Sequence, residues 1–411
     1  MFSKLWREWR YPVEFALLLA LVFFLPLREA PKNLFWLAYV VVWLANRAKS
    51  ADFGGRWDRW DSLITALIAS GYLAAAFGGV HRGDNNEWMA VNDVIRYGAL
   101  FACVRRAGYP PAQLLAVLMM AVASGLVAEV EALWNWKVSM ARPRLELFSV
   151  GHVNHSAIYL VICLGLAGAL LTGCWRPLGH AARATLLCAT LLLLIGIFLT
   201  ASRAAAGIAL LLLLLLAFVA GRGTGLGRGA WAACLSLILV AVLVGGTGAL
   251  QTQLARSKSN TVLSERDLIW NRGLVAWRQY PWFGIGMDNY SQISDARLTA
   301  WLAGQGRPYV ATDYARAPHG HNVYVNTLVE RGAVGLAALL ALLATWAAAL
   351  VRLRPAFAQG GAAVTLWGAS LSGWLVTAGI GMANTTLHHE HAMLAMLTLA
   401  LWPGAQPAHR A

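Results

Sequence analysis

The sequence predicts an all-α, polytopic membrane protein with about twelve transmembrane helices and a large helical loop on the outer side between spans nine and ten. Three observations lead there. The 411 residues are 59% hydrophobic and only 13% charged, about half the charge of a typical soluble domain. The apolar residues gather into runs of roughly 18–25, the length of helix that crosses about 30 Å of hydrocarbon. Leu210 to Leu216 is unbroken leucine. Finally, Lys and Arg recur in alternate connections between the runs, as they do in loops kept on the cytoplasmic side.

In chain order, the first span is expected near 13–28. Its basic start (Lys4, Arg7, Arg10) and apolar run from Phe15 to Leu27 resemble a secretion signal. Pro26, Arg28 and Glu29 stand where a small-x-small cleavage site would lie, so the segment reads as an uncleaved span. Spans follow near 33–47, 61–79, 88–105 and 111–132, with Arg47, Lys49, Arg56 and Arg59, and then Arg105 and Arg106, in the basic connections. Polar residues interrupt the fourth. Spans six to nine fall near 156–174, 183–201, 204–221 and 230–250, bounded by Arg176 and Arg183 and by Arg222 and Arg228. The long segment 251–332 leads to spans near 333–352, 362–382 and 388–403, with Arg352, Arg354 and Arg410 on the basic side. Polar residues also interrupt the last two. An even number of spans puts both termini in the cytoplasm. With no repeat, low-complexity tract or flexible linker, residues 1–411 read as one domain.

Cys103, Cys163, Cys174, Cys188 and Cys234 lie in or beside spans, without a CxxC pair. They imply neither a disulfide nor a thiolate zinc site, and read as small apolar packing residues.

The formal charge of +14 exceeds what the cytoplasmic loops need. Lys137, Arg142 and Arg144 follow span five, and segment 251–332 holds Arg256, Lys258, Arg266, Arg272, Arg278, Arg297, Arg307, Arg316 and Arg331. Any one of these can be a solvated loop charge. Arg203 differs, because Thr200-Ala201-Ser202-Arg203 is a very short turn between two strongly apolar helices. A charge there costs roughly 2–3 kcal/mol unless paired or solvated, which makes it a functional candidate. Arginines clustered at a membrane surface suit a dianionic headgroup such as a pyrophosphate, whose oxygens match the guanidinium fork. Nucleic acid is not a partner on that side.

Segment 251–332 carries its own helical signals. Ser264-Glu265-Arg266-Asp267 reads as a helix start, with Ser264 as N-cap and Asp267 as its capping partner. Arg266, Trp270, Gly273 and Trp277 then share one face. Pro281 ends that helix, and Trp282-Phe283-Gly284-Ile285-Gly286 turns the chain. A second short helix is expected from Ser294 through Leu298, Trp301 and Leu302. Trp beside Arg suits a helix lying in the headgroup layer, for anchoring or as a platform for Arg266.

Three histidine groups stand near the outer ends of spans. His319 and His321, in Pro318-His319-Gly320-His321-Asn322, precede a helix expected to run through Glu330-Arg331-Gly332 into span ten. Imidazole titrates near neutrality and can take a proton from a sugar hydroxyl, or simply sit at a helix start. His152, Asn154, His155 and Ser156 enter span six, where Asn154 or Ser156 could cap it and Asn154 and His155 could line a site. His388-His389-Glu390-His391 begins span twelve; only His388 and His391 have the spacing that shares a helical face, so no metal site is expected. No nucleophile elbow, P-loop or dinucleotide fingerprint appears in a suitable context. Transfer chemistry outside the cytoplasm therefore needs a donor that carries its own leaving group.

Four stretches resemble the O-antigen ligase and polymerase superfamily of bacterial inner membranes. They are Thr200-Ala201-Ser202-Arg203; Ser264-Glu265-Arg266 with Trp270; Pro281-Trp282-Phe283-Gly284-Ile285-Gly286; and His321-Asn322 with Gly332 and Gly335 following. The likeness covers most of residues 150–350. It implies a metal- and cofactor-independent, inverting transfer from an undecaprenyl-pyrophosphate-linked polysaccharide to a sugar of lipid A-core, on the periplasmic side of the inner membrane. Membrane lipids would surround the site, and 251–332 would be its periplasmic loop. By the same resemblance His321 is the base, Arg203 and Arg266 bind the pyrophosphate, and His319, Asn322, Asn154, His155 and Arg142 are candidates to line the site. Gly207 stands where some ligases have leucine, which leans toward a polymerase. A protein O-oligosaccharyltransferase fits less well, since the chain stops at Ala411 soon after Trp402. A transporter of lipid-linked sugars would spread charge through broken mid-membrane helices, whereas here it gathers at one face.

Overall fold

A computed structural model describes residues 11–142, 144–223, 229, 231, 232, 234–239 and 265–405. Every regular element among them is helical. In chain order these are α1 (Pro12–Phe24), α2 (Glu29–Ser50), α3 (Arg59–Phe77), α4 (Asn86–Arg105), α5 (Pro111–Lys137), α6 (Val153–Cys174), α7 (His180–Leu199) and α8 (Arg203–Gly223). After the undescribed stretch come α9 (Arg266–Gln279), α10 (Asp295–Gly304), α11 (Val323–Arg352), α12 (Gly361–Gly379) and α13 (His389–Leu401).

Helices coincide with the expected spans one to eight and ten to twelve; the ninth, 230–250, falls mostly outside the described residues. Among the described residues, seven helices (α3, α5, α6, α7, α8, α11 and α12, the last with its 3-10 extension to Met382) are long and apolar enough to cross a membrane. The chain is thus a multi-pass membrane protein. α1 and α13 are short, and α2 and α4 carry ions. Those ions are matched inside the bundle: Lys32 of α2 pairs with Glu390 of α13, and Arg47 of α2 with Glu14 of α1. A charge buried next to its partner and hydrogen-bonded is tolerable where an isolated one is not.

α6 is the hub. It is apolar on every side, 89% of its membrane window is buried, and it packs against α5, α7, α8, α12 and α13. α13 lies against α4 and α12, and α11 against α3. This arrangement brings the starts of α6, α11 and α13 together at one end of the bundle.

α9 and α10 form a second small core at that end, separate from the membrane bundle. Ile269, Val275, Ala276, Ile285, Tyr290, Ile293, Leu298, Leu302 and Val329 fill it. α10 starts where expected, with Ser294 Oγ accepting the Arg297 N–H. α9 begins differently. Its N-cap is Glu265 in a left-handed conformation without a side-chain cap, while Ser264 lies outside the described residues.

α11 is broken at Gly332 (φ +64°) rather than continuous. The 281–286 turn inserts at the break and satisfies the freed backbone groups. Ala333 N–H donates to Pro281 O (2.8 Å), Ile285 N–H to Val329 O (2.9 Å) and Gly286 N–H to Glu330 O (3.0 Å). Gly284 (φ +70°) and Gly332 face each other's segments so closely that a Cβ on either would lie within 2.5 Å of opposing backbone. The two glycine-bearing motifs are therefore the two sides of one joint.

Candidate active site

Arg203 is the first residue of α8. The turn before it is closed by Thr200, whose Oγ1 donates to Ile197 O (2.7 Å) and accepts the Ser202 N–H (3.3 Å). Arg203 faces outward at this end of the bundle. Arg266 is the first residue of α9 and half-buried. Its pKa is lowered by burial and then by the nearby positive charge of Arg203. Two cations from segments more than sixty residues apart in sequence thus stand within electrostatic reach, at the starts of two helices. Helix N-termini add positive potential of their own and expose N–H groups, chemistry that can hold an anion.

His321 follows. Its ring lies 4.1 Å, centroid to centroid, from that of His319. Burial pushes its pKa down to about 4, helped by His319, the Arg266 charge and His152. The residue is held in the left-handed region (φ +46°), a strained conformation for a side chain that is not glycine. Its neighbours do the holding. Trp270 Nε1 donates to Gly320 O (2.8 Å) and Gly320 N–H to Asn326 Oδ1 (2.8 Å). Asn322 Oδ1 accepts the Tyr324 and Val325 N–H groups, and its amide donates to Met382 O (2.9 Å). Asn322, the residue after His321, is thus the N-cap of α11. Trp270, one α9 turn after Arg266, links the arginine's helix to the histidine's loop.

The remaining candidates divide. His155 sits at the centre of the histidines, with ring centroids 5.7 Å from His152, 6.1 Å from His319 and 5.1 Å from His391. The cap of α6 is neither Asn154 nor Ser156: His152 Nδ1 accepts the Asn154 N–H (3.2 Å). Ser156 Oγ instead accepts the Leu147 N–H and donates to Gly151 O. Arg142 pairs with Glu146 (3.3 Å) on the connection after α5, and no interaction among the described residues joins it to the histidines.

The convergence itself went unforeseen. The three histidine groups, weighed separately in sequence, form one network of ring contacts that includes seven of the ten histidines. Beside it opens a cavity of about 420 Å³, lined by His155, His319, His388, His389, Asp93, Asp288 and Glu330 among others. Asp93 and Glu330 carried no motif, and only the packing of α4 and α11 reveals them.

Three other loop arginines are engaged within the fold. Arg272 and Arg316 share Asp295, and the two guanidiniums hold its carboxyl at about 2. Buried Arg331 donates to Leu67 O and Ser70 Oγ.

No curated protein matches the chain. A family model described as O-Antigen ligase matches residues 188–340, a stretch that holds Arg203, Arg266 and His321. Over those residues, fewer than half of the chain, the protein is similar to the O-antigen ligase family.

Proposed function

We propose that the protein is an O-antigen ligase of the bacterial inner membrane. It would move a polysaccharide from undecaprenyl pyrophosphate to a sugar of lipid A-core at the periplasmic face. The observation that carries this reading is that Arg266 stands within electrostatic reach of both Arg203 and His321, residues far apart from it in sequence.

In the proposed reaction an acceptor hydroxyl attacks the anomeric carbon as its proton passes to His321. The bond from that carbon to the pyrophosphate oxygen breaks, and the undecaprenyl pyrophosphate leaves with the electron pair. Attack opposite the leaving group inverts the anomeric centre. Arg203 and Arg266 offset the charge that develops on the departing oxygen, which is where preorganised cations lower a barrier most. General-base catalysis contributes typically 10²–10⁴-fold. The donor supplies its own leaving group, so the steps as written need neither ATP nor a cofactor. In this reading both termini are cytoplasmic, the expected ninth span lies within 230–250, and 251–332 is the periplasmic loop of a single transmembrane domain of about twelve spans.

The glycine at 207 leans toward a polymerase, which uses a lipid-linked glycan as acceptor. A side chain there would meet open space, so packing does not require glycine at that position. The test is purified protein with undecaprenyl-pyrophosphate-linked polysaccharide, with and without lipid A-core. A ladder of larger glycolipid only with lipid A-core supports the ligase. Lengthening of the donor alone makes it a polymerase, and silence in both tubes removes the enzyme reading.

A further inference from the structure

We propose that Asp93, His388 and His389 form a binding site for a divalent first-row transition metal ion, best matched by zinc, on the wall of the histidine cavity. The Asp93 carboxylate comes from α4, while the two imidazoles come from the residues that lead into α13. Asp93 Oδ2 lies 3.4 Å from His389 Nδ1 and 4.0 Å from His388 Nε2. One ligand atom from each residue lies within 4.8 Å of the other two.

Those distances are close to what a metal requires. Zinc holds nitrogen and oxygen ligands at about 2.0–2.2 Å, so two ligands of one tetrahedral ion lie roughly 3.3–3.5 Å apart. The Asp93–His389 separation already meets that value, the Asp93–His388 one needs a shift of under about 1 Å, and the two imidazole nitrogens, within 4.8 Å of each other, need one of under about 1.5 Å. Imidazole and carboxylate together suit zinc and its neighbours in the first row, whereas magnesium and calcium favour all-oxygen shells.

Helical spacing argued against a metal only on the assumption that both histidines have helical geometry, whereas His388 is the N-cap and His389 the first residue of α13. His388 is extended and His389 sits in the left-handed region (φ +48°), so adjacent residues aim at one point. Strain of this kind persists where the surroundings over-determine it, commonly at ligand sites.

The outer contacts fit a ligand set. Asp93 Oδ1 faces Arg96 at 3.5 Å, leaving Oδ2 for the histidines. Such second partners orient a metal-bound carboxylate. Neighbouring Glu390 is engaged by Lys32 and is not one of the ligands. The buried Nδ1 atoms of His388 and His391 have no hydrogen-bond partner. The side chains of His388 and His389 remain 40% and 45% exposed, which gives an ion a way in. Three protein ligands leave a fourth position facing the cavity, where His155 stands with ring centroids 6.2 and 6.3 Å from the pair. A bound ion would fasten α4 to the start of α13 and so fix one wall of the cavity. The site does not include Arg203, Arg266 or His321, and the proposal holds whether the protein is a ligase or a polymerase.

The test uses the full chain, purified in detergent and stripped with a chelator, then titrated with Zn²⁺ by calorimetry and with Co²⁺ by visible absorption. One Zn²⁺ should bind per chain, and Co²⁺ should give the intense d–d bands of a tetrahedral nitrogen–oxygen site. Asp93→Asn, His388→Gln and His389→Gln should each weaken binding by more than about 100-fold, beyond the loss typical of an outer contact. His81→Gln and His180→Gln, outside the network, should leave it unchanged. Absence of saturable binding overturns the proposal, as does binding that survives Asp93→Asn and His389→Gln in folded protein. A wild-type Co²⁺ spectrum of the weak, octahedral kind overturns it too, however the variants fold.

Discussion

Arg266 and Arg272 lie less than two turns apart on the same helix and do opposite work. Arg272 is 2% exposed, donates to Ile293 O at 2.8 Å and shares Asp295 with Arg316. It fastens α9 to α10. Arg266, at the helix start, stands near a second cation, and burial together with Arg203 makes its charge more costly. A half-buried cation with a like charge near it is the kind of perturbed group that marks a functional site, and the proposed function gives Arg266 an anion to bind. Arg272 belongs to the scaffold, and on the proposed function Arg266 belongs to the site.

Four substitutions test that division, and His321→Ala should have the largest effect. Removing the base should lower transfer by at least about 10²–10⁴-fold while the protein elutes and melts as wild type. Retained turnover in that variant would remove His321 as the base and pass the role to His319, 4.1 Å away. Arg203→Lys and Arg266→Lys come next, with an expected loss of about 10²–10³ in kcat. Lysine keeps the charge but not the planar fork that meets two phosphate oxygens. Normal turnover in either would mean that charge alone suffices there. Arg272→Ala should do the reverse. It should cost about 1–3 kcal/mol of stability by leaving Ile293 O without its donor, the Asp295 contribution being reduced by solvent because that side chain is 41% exposed. Folded Arg272→Ala should turn over within a few-fold of wild type; loss of activity at unchanged stability would erase the distinction between the two arginines.

The same contrast shows what can be read along a chain. Apolar runs marked most of the bundle because a membrane span must satisfy its backbone within itself, which makes its signal local. The arginine turn, Trp270 and the two glycine motifs were also visible, although their purpose was not. Trp270 reaches Gly320 O, and the 281–286 turn fills the break at Gly332, contacts made by residues 50 apart. The histidine network was hidden for the same reason. His155, His319 and His388 are brought together by α6, α11 and α13, and no local period encodes which helix starts meet. Asp93 is one of the polar residues that interrupt the fourth span, and its place beside His388 and His389 follows only from the packing of α4 on α13.

The smallest effect concerns the protonation of His321. In the free protein, burial, His319, the Arg266 charge and His152 hold its pKa at about 4, below the ordinary value of about 6.5. Only the neutral imidazole can accept a proton, so activity is lost as pH falls through whichever pKa applies. A pyrophosphate seated on Arg203 and Arg266 offsets the Arg266 charge and adds an attraction, so the pKa must rise when the donor binds. The acid limb of kcat/KM reports the free enzyme, and that of kcat reports the complex. With donor varied and acceptor saturating, the limb of kcat/KM should therefore lie near 4 and the limb of kcat at higher pH, toward 6.5. Coincident limbs would mean that the anion does not reach the charge that His321 feels, and Arg266 would then belong with Arg272 on the scaffold side of the comparison.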